Sequence, residues 1–216
     1  MKVTTAQYPA KNPYETTDKI VRVLVRKFIR MFGNVNLLPF DELNVLHGVR
    51  ELYDELYKVI RKEYIRLARE IYAKRRGSPV SLRVRKRISE KWMDETLQAF
   101  DPAKKTVFRN DFERRRDLLF EAIVATGQVE PELKDALRAM TRLTAQEAIT
   151  VTDAARDAAD EDDGIPKVIW LTRQDERRCL TCGMLHGEIF DYDKVPDKPH
   201  RNCRCWTERW PFEGDD

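Results

Sequence analysis

The sequence predicts an α+β protein: a mostly α-helical body with a long helical hairpin, plus a small C-terminal β-rich Cys/His module. Three observations predict it. Apolar residues recur at helical spacing from Ile20 to about Ala159. Apart from Gly48, the Gly and Pro residues of this stretch fall between the periodic segments or at their edges. All four cysteines and two of the three histidines lie between Cys179 and Cys205, in a stretch too short to build a core without a cross-link.

Residues 1–14, with Pro9 and Pro13 and little periodicity, read as a flexible or partner-bound arm. A helix is expected from about Thr17 to Phe32, with Ile20, Val21, Leu24, Val25, Phe28 and Met31 on its apolar face and Gly33-Asn34 as its stop. Asp41 is a suitable N-cap for the longest periodic segment, which runs to Arg76. Val45, Val49, Leu52, Leu56 and Val59 set a heptad-like stripe there, and Ile60, Tyr64, Leu67 and Ile71 continue it. Such a stripe needs a partner. Gly77-Ser78-Pro79 makes the turn, and residues 81–100 are expected to fold back as one helix through Val84, Ile88, Trp92 and Leu97. Asp101-Pro102 ends that segment. Further helices are expected over 104–126, stopped by Gly127, and from near Pro131 to about Ala159. Asp160 to Gly164 then reads as an acidic linker. The domains are thus the arm (1–14), the helical body (15–163), the module (164–210) and an acidic tail (211–216).

In the module, Lys167 to Thr172 is β-branched and aromatic and suits a strand. Asp175 to Arg178 looks like a turn delivering Cys179, Glu188 to Phe190 fits a second strand, and Cys203 to Trp210 a closing one. Cys179-Leu-Thr-Cys182 aims two thiolates at one point, and His200-Arg-Asn-Cys203-Arg-Cys205 offers the remaining donors of a tetrahedral site. Thiolate and imidazole are what zinc takes, so one zinc ion is the expected cofactor. Five candidates, Cys179, Cys182, His200, Cys203 and Cys205, compete for four places. A Cys₄ site leaves His200 outside the ligand set. A Cys₃His site puts it in place of one of the last two thiolates. Trp170, Phe190 and Trp206 are expected to cover the site. His186 reads as a solvated turn residue. Two disulfides, or plain buried thiols, are the rival account.

These residues resemble the C-terminal signature of the Mu F-like minor head proteins of phages, also called phage head morphogenesis proteins. The resemblance rests on Trp170-Leu-Thr172, on Asp175 followed by Arg178-Cys179-x-x-Cys182, on Gly187, and on the run Pro199-His200-Arg-Asn202-Cys203-Arg204-Cys205. It covers about residues 130–207. It implies a non-enzymatic component of the virion head, present in few copies at the portal vertex and assembled in the host bacterial cytoplasm. The partners it implies are the portal protein and the major capsid or scaffolding protein. Some family members carry a downstream toxin domain, and none is expected here, where the sequence ends at Asp216.

The remaining features bound the alternatives. At 216 residues, 42% of them hydrophobic, the chain suffices for one or two domains, and 36% charged residues exceed the usual quarter. A mean hydropathy of -0.62 fits long helices with wide solvated faces. No apolar run has the length of a membrane span, and Met1-Lys-Val-Thr-Thr lacks a signal-peptide core, so reduced thiols are expected. A net charge of +3 does not by itself argue for nucleic acid. Lys74, Arg75, Arg76, Arg83, Arg85, Lys86 and Arg87 do cluster at the helix–helix turn. That tip suits double-stranded DNA or an acidic partner groove, and equally a solvated tip with no ligand. Arg114 to Arg116, bracketed by Glu113 and Asp117, reads as an ordinary helix face, and His47 as a polar-face residue. A regulatory zinc module that binds nucleic acid is the alternative function. A Cys-x-x-Cys thiol oxidoreductase is a further one, but it needs a strand–helix setting of the βαβ type. No G-x-S-x-G, P-loop or H-E-x-x-H motif appears, and no small-molecule substrate is expected.

Overall fold

The computed structural model describes residues 13–172, 179–200, 203 and 205–210. The body is built on four long helices: α1 (Glu15–Gly33), α2 (Glu42–Arg75), α5 (Phe108–Thr126) and α6 (Val129–Asp162). Asp41 caps α2 through its side chain, which accepts from Asn44 N at 3.1 Å. Gly127 ends α5 in the left-handed conformation, at φ 66°, which a side-chain-bearing residue adopts only with strain.

The two 34-residue helices α2 and α6 form the central pair, and they run parallel. The Tyr64 hydroxyl donates to the Thr144 carbonyl at 2.6 Å, and further along both helices the Tyr72 hydroxyl donates to Asp162 at 2.5 Å. α1 and α5 flank this pair and run antiparallel to it. Thr17 meets Thr152 at 2.7 Å and Lys27 meets Glu63 at 2.6 Å on one side. On the other, Phe108 and Phe112 pack on Tyr64, Tyr57 and Tyr53. The core of the bundle is the buried stripe of α2 (Val45, Val49, Leu56, Ile60, Leu67) set against Leu24 and Phe28 of α1, Ile123 of α5 and Met140 of α6.

The segment after the Gly77 turn does fold back on α2, but as two short helices, α3 (Leu82–Arg87) and α4 (Glu90–Gln98). Ser89 breaks the expected single helix, because its hydroxyl accepts from Trp92 N and starts a new one. Arg61 of α2 holds α4 through Asp94, at 2.6 Å, and through Glu90. The long partner of α2 is therefore α6, and α3–α4 cover only its flank. Asp101-Pro102, expected only to end a helix, lies in a two-stranded hairpin, β1 (Phe100–Asp101) with β2 (Thr106–Val107), so the helix expected from 104 starts at Phe108. Buried Lys104 of its loop pins the hairpin to α6 through Glu147 at 2.8 Å.

The module is a three-stranded antiparallel sheet in the order β4 (Ile189–Asp191), β3 (Lys167–Leu171), β5 (Trp206–Trp210), with a short helix α7 (Leu180–Leu185) between β3 and β4. One face of the sheet docks on the body. Ile169, Leu171 and Trp206 pack there with Ile149 of α6 and with Tyr14, which precedes α1. Tyr14 was expected in the free arm. It is 5% exposed, and its hydroxyl, with one proton to give, lies 2.9 Å from the Asp153 carboxylate and 3.0 Å from the Cys205 carbonyl. Residues 1–12 of that arm, the 175–178 turn and the 211–216 tail lie outside the described residues. Among the described residues, no helix is long and apolar enough to cross a membrane.

Asp160 to Asp162 are the last residues of α6 and not a linker. Asp160 is fully buried, yet it accepts from Arg75 of α2 at 2.9 and 2.7 Å and from Arg209 of β5 at 2.7 Å. Glu208 of β5 binds the same Arg75, and Arg156 of α6 at 2.8 Å. Asp160→Ala leaves Arg75 buried with only Glu208, so it should destabilise the protein by about 3 kcal/mol or more, read from denaturant midpoints of the metal-loaded chain. A loss below about 1 kcal/mol would mean the joint rests on apolar contacts instead.

Candidate metal centre

The second face of the sheet carries the sulfurs. Strand alternation turns Trp170 away from Ile169 and Leu171, so its indole packs with Cys182, Cys203 and Cys205, all buried. Phe190 of β4 meets Trp170 edge-on at 6.5 Å, and Cys179, Leu185 and Val195 complete the shell. Trp206, expected over the site as well, pairs in register with Leu171 and so belongs to the opposite face.

Each sulfur has a structural reason for its place. Cys179 is the N-cap of α7, and its Sγ accepts from Cys182 N at 3.3 Å. The first turn of α7 therefore brings Cys179 and Cys182 to one side, where short strands and turns were expected. Gly187, at φ 82°, reverses the chain after α7, and its N–H donates to the Trp170 carbonyl at 2.8 Å. That bond fixes α7 against β3. From the other side, the Cys203 N–H closes a turn onto the His200 carbonyl at 3.2 Å, and Cys205 leads directly into β5.

The five candidate ligands converge on Cys182. Its Sγ lies 3.7 Å from Cys203 Sγ and 3.3 Å from His200 Nε2. Two groups of three result, Cys179–Cys182–His200 and Cys182–Cys203–Cys205, with the donor atoms of each within 4.8 Å of one another. A tetrahedral ion with metal–sulfur bonds of about 2.3 Å sets its sulfurs about 3.8 Å apart and a sulfur and a nitrogen about 3.5 Å apart. The observed spacings match those edges. They are far beyond the ~2.05 Å of a disulfide, and all four cysteines are free thiols. This cluster could hold a metal ion.

The electrostatics suit a cation too. Donation from Cys203, and from Thr172, Cys182 and Trp170, holds the Cys205 thiol well below its ordinary range, while the same contact and burial raise Cys203. Cys179 is lowered by the Cys182 backbone N–H. Cys182 is raised, chiefly by burial. The cluster thus favours thiolate at its two ends and keeps protons in its middle, which a metal would displace. The Trp170 Nε1–H is buried without a hydrogen-bond partner among the described residues, and its proximity helps lower the Cys205 thiol.

No family model, no curated protein and no solved structure matches this chain.

The other predicted sites are dispersed. Arg75 is committed to Asp160 and Glu208, Arg76 to Asp163 at 2.6 Å, and Arg87 to Glu161 and Asp162, both at 3.0 Å. Arg75 therefore belongs to the joint between body and module, and Arg76 and Arg87 to the C-terminal end of α6, rather than to a free basic tip. Lys74, Arg83, Arg85 and Lys86 are exposed and make no ion pair among the described residues. His47 is exposed and lies 3.2 Å from Glu51, as expected of a polar face. His186 is half-buried, and its Nδ1 accepts from Thr172 N at 3.0 Å, tying the end of β3 to the end of α7 where a solvated turn was expected. Neither that role nor the burial of the Trp170 indole N–H beside Cys205 is signalled by ligand spacing, since both depend on strand register. The antiparallel sheet also differs from the parallel βαβ setting of a redox Cys-x-x-Cys.

Trp170→Phe keeps the packing and removes the indole N–H. It should weaken metal retention about tenfold in competition with a chromogenic chelator, with the fold unchanged by circular dichroism.

Proposed function

We propose that this chain is a non-enzymatic minor head protein of a phage, acting in head morphogenesis at the portal vertex, with one zinc ion stapling its C-terminal module. The observation that carries the reading is the meeting of Cys179, Cys182, His200, Cys203 and Cys205 around one sulfur. Those are the residues on which the sequence resembles the Mu F-like family. The body supports the reading as well: a bundle on two 34-residue shafts offers long solvated faces to neighbouring subunits, here the portal and the major capsid or scaffolding protein.

Cys182, Cys203 and Cys205 are the inner ligands, because they are the buried ones. Cys179 completes a Cys₄ set, and His200 hydrogen-bonds at its edge. Zinc here supplies folding energy: its binding draws the 179–182 and 203–205 segments together, and the module closes around it. Elemental analysis of reduced, purified protein should give about one zinc per chain. Cys205→Ser should lose the metal and His200→Ala should keep it. Metal kept by Cys205→Ser and lost by His200→Ala would instead assign Cys₃His, with His200 in place of one of the last two thiolates.

The head assignment has its own test. Co-expression with portal and capsid proteins should place the chain in assembled heads, and omitting it should give defective particles. Recovery of normal heads without it would overturn the reading. A DNA contact through Lys74, Arg83, Arg85 and Lys86 is the second reading, favoured by their exposure and lack of partners among the described residues. It predicts DNA binding that falls steeply with salt, with a slope lowered by about one per lysine or arginine replaced.

A further inference from the structure

A cavity of about 470 Å³ lies between the module and the body, a size within the range of small-molecule sites. Its walls come from α6 (Ile149, Asp153, Asp157), from the 99–104 segment, and from the module (Val168, Lys198, Trp206). The surface is mainly apolar and aromatic, with charged groups set into it.

Those charges are matched among the described residues, with two exceptions, Asp157 on α6 and Asp197 in the exposed loop before Lys198. Lys198 is held by Asp153 at 2.5 Å and by the Tyr14 hydroxyl at 3.1 Å. Lys104 is held by Asp101 and Glu147, and Arg156 by Glu208, each at 2.8 Å. The Asp157 carboxylate has neither an ion pair nor a hydrogen bond among the described residues; only its backbone carbonyl is engaged, by the Tyr192 hydroxyl at 2.8 Å. Its carboxylate neighbours, Asp153 and Asp160, repel it further.

We propose that this cavity binds a small organic cation, an ammonium or amidinium group on an apolar or aromatic stem, with Asp157 as its counter-ion. The charge selects against anions, because every cationic side chain in the wall is already committed. The apolar wall of Ile149, Val168 and Trp206 selects for the stem. Asp157 is an exposed residue at the cavity, with other elements packed close around it. That crowding, with the charges of Asp153 and Asp160, pushes its carboxyl up to about 7, against the pull of Arg156 and Lys198. The ligand needs the ionised form, so affinity should be full above that pH and fall as pH drops through it.

The test uses the full chain, zinc-loaded, with 2-phenylethylammonium as probe and 2-phenylethanol and 3-phenylpropionate as neutral and anionic counterparts. Binding is followed through the tryptophan indole N–H resonances, since Trp170 and Trp206 line the cavity. The ammonium should bind at least about tenfold more tightly than either counterpart, the worth of one well-placed charge. Asp157→Asn should abolish that preference and its pH dependence while leaving zinc content unchanged. Equal binding of the alcohol, no binding of the ammonium, or an unaltered preference in Asp157→Asn would overturn the proposal. So would tighter binding of Nα-acetyl-lysine methylamide than of the probe, which would assign the cavity to a basic side chain of a protein partner.

Discussion

Four consecutive acidic residues, Asp160 to Asp163, stand at the C-terminal end of α6, and the last turn carries no basic residue. This is the wrong end. The helix dipole places partial negative charge there, and α2, running parallel, brings a second negative terminus alongside. The arrangement holds only because arginines surround it: Arg75 of α2, Arg76 just after it, Arg87 of α3 and Arg209 of β5. Together the ion pairs join the end of α6 to the end of α2, to α3 and to β5, so the neutralisation of one helix end also fixes the turn after α2 and the closing strand of the module. A fully buried carboxylate such as Asp160 is costly unless it is paired and hydrogen-bonded. It constrains geometry for that reason, because the body and the sheet must meet for the charge to be satisfied.

The sulfur site depends on the same joint. β5 is held from one side by Arg75 and Arg156 on Glu208 and by Asp160 on Arg209, and its first residue follows Cys205 directly. Tyr14 reaches from the start of α1 to the Cys205 carbonyl. Two of the inner thiols are thus positioned by the body, while Cys179 and Cys182 are positioned by α7. A metal bridging those two halves would couple a locally folded turn to the bundle, so that the module cannot close unless the shafts are in place.

Much of this was legible in the sequence, and the parts that were not share a cause. The helices α1, α2, α5 and α6 followed from periodicity, Asp41 and Gly127 from cap chemistry, and the five ligand candidates from residue type and spacing. All of these are local properties. The partner of α2 was not legible, because an apolar stripe specifies a neighbour's hydrophobicity and not its identity. The parallel α2–α6 pairing joins residues 80 or more apart in the chain, such as Tyr64 and Thr144. The basic cluster misled for the same reason: Arg75 looks like a tip residue until Asp160 and Glu208 arrive from distant segments. Ser89 was a local signal overlooked, a side chain that caps a helix as readily as it sits inside one.

The joint also leaves the two ends of the molecule chemically unlike. α2 spans about 50 Å. At its C-terminal end, the arginines facing α6 are consumed, and Lys74, Arg83, Arg85 and Lys86 remain as an exposed basic rim beside the metal module. At its N-terminal end, Leu38, Phe40 and Leu43 are exposed, Phe40 at 95%, near the Gly127 turn between α5 and α6. The parallel run of the two shafts produces this polarity, since it gathers both negative helix termini, and the arginines they require, at one end. An apolar end and a cationic end on one bundle suit contacts with chemically different neighbours at its two extremes.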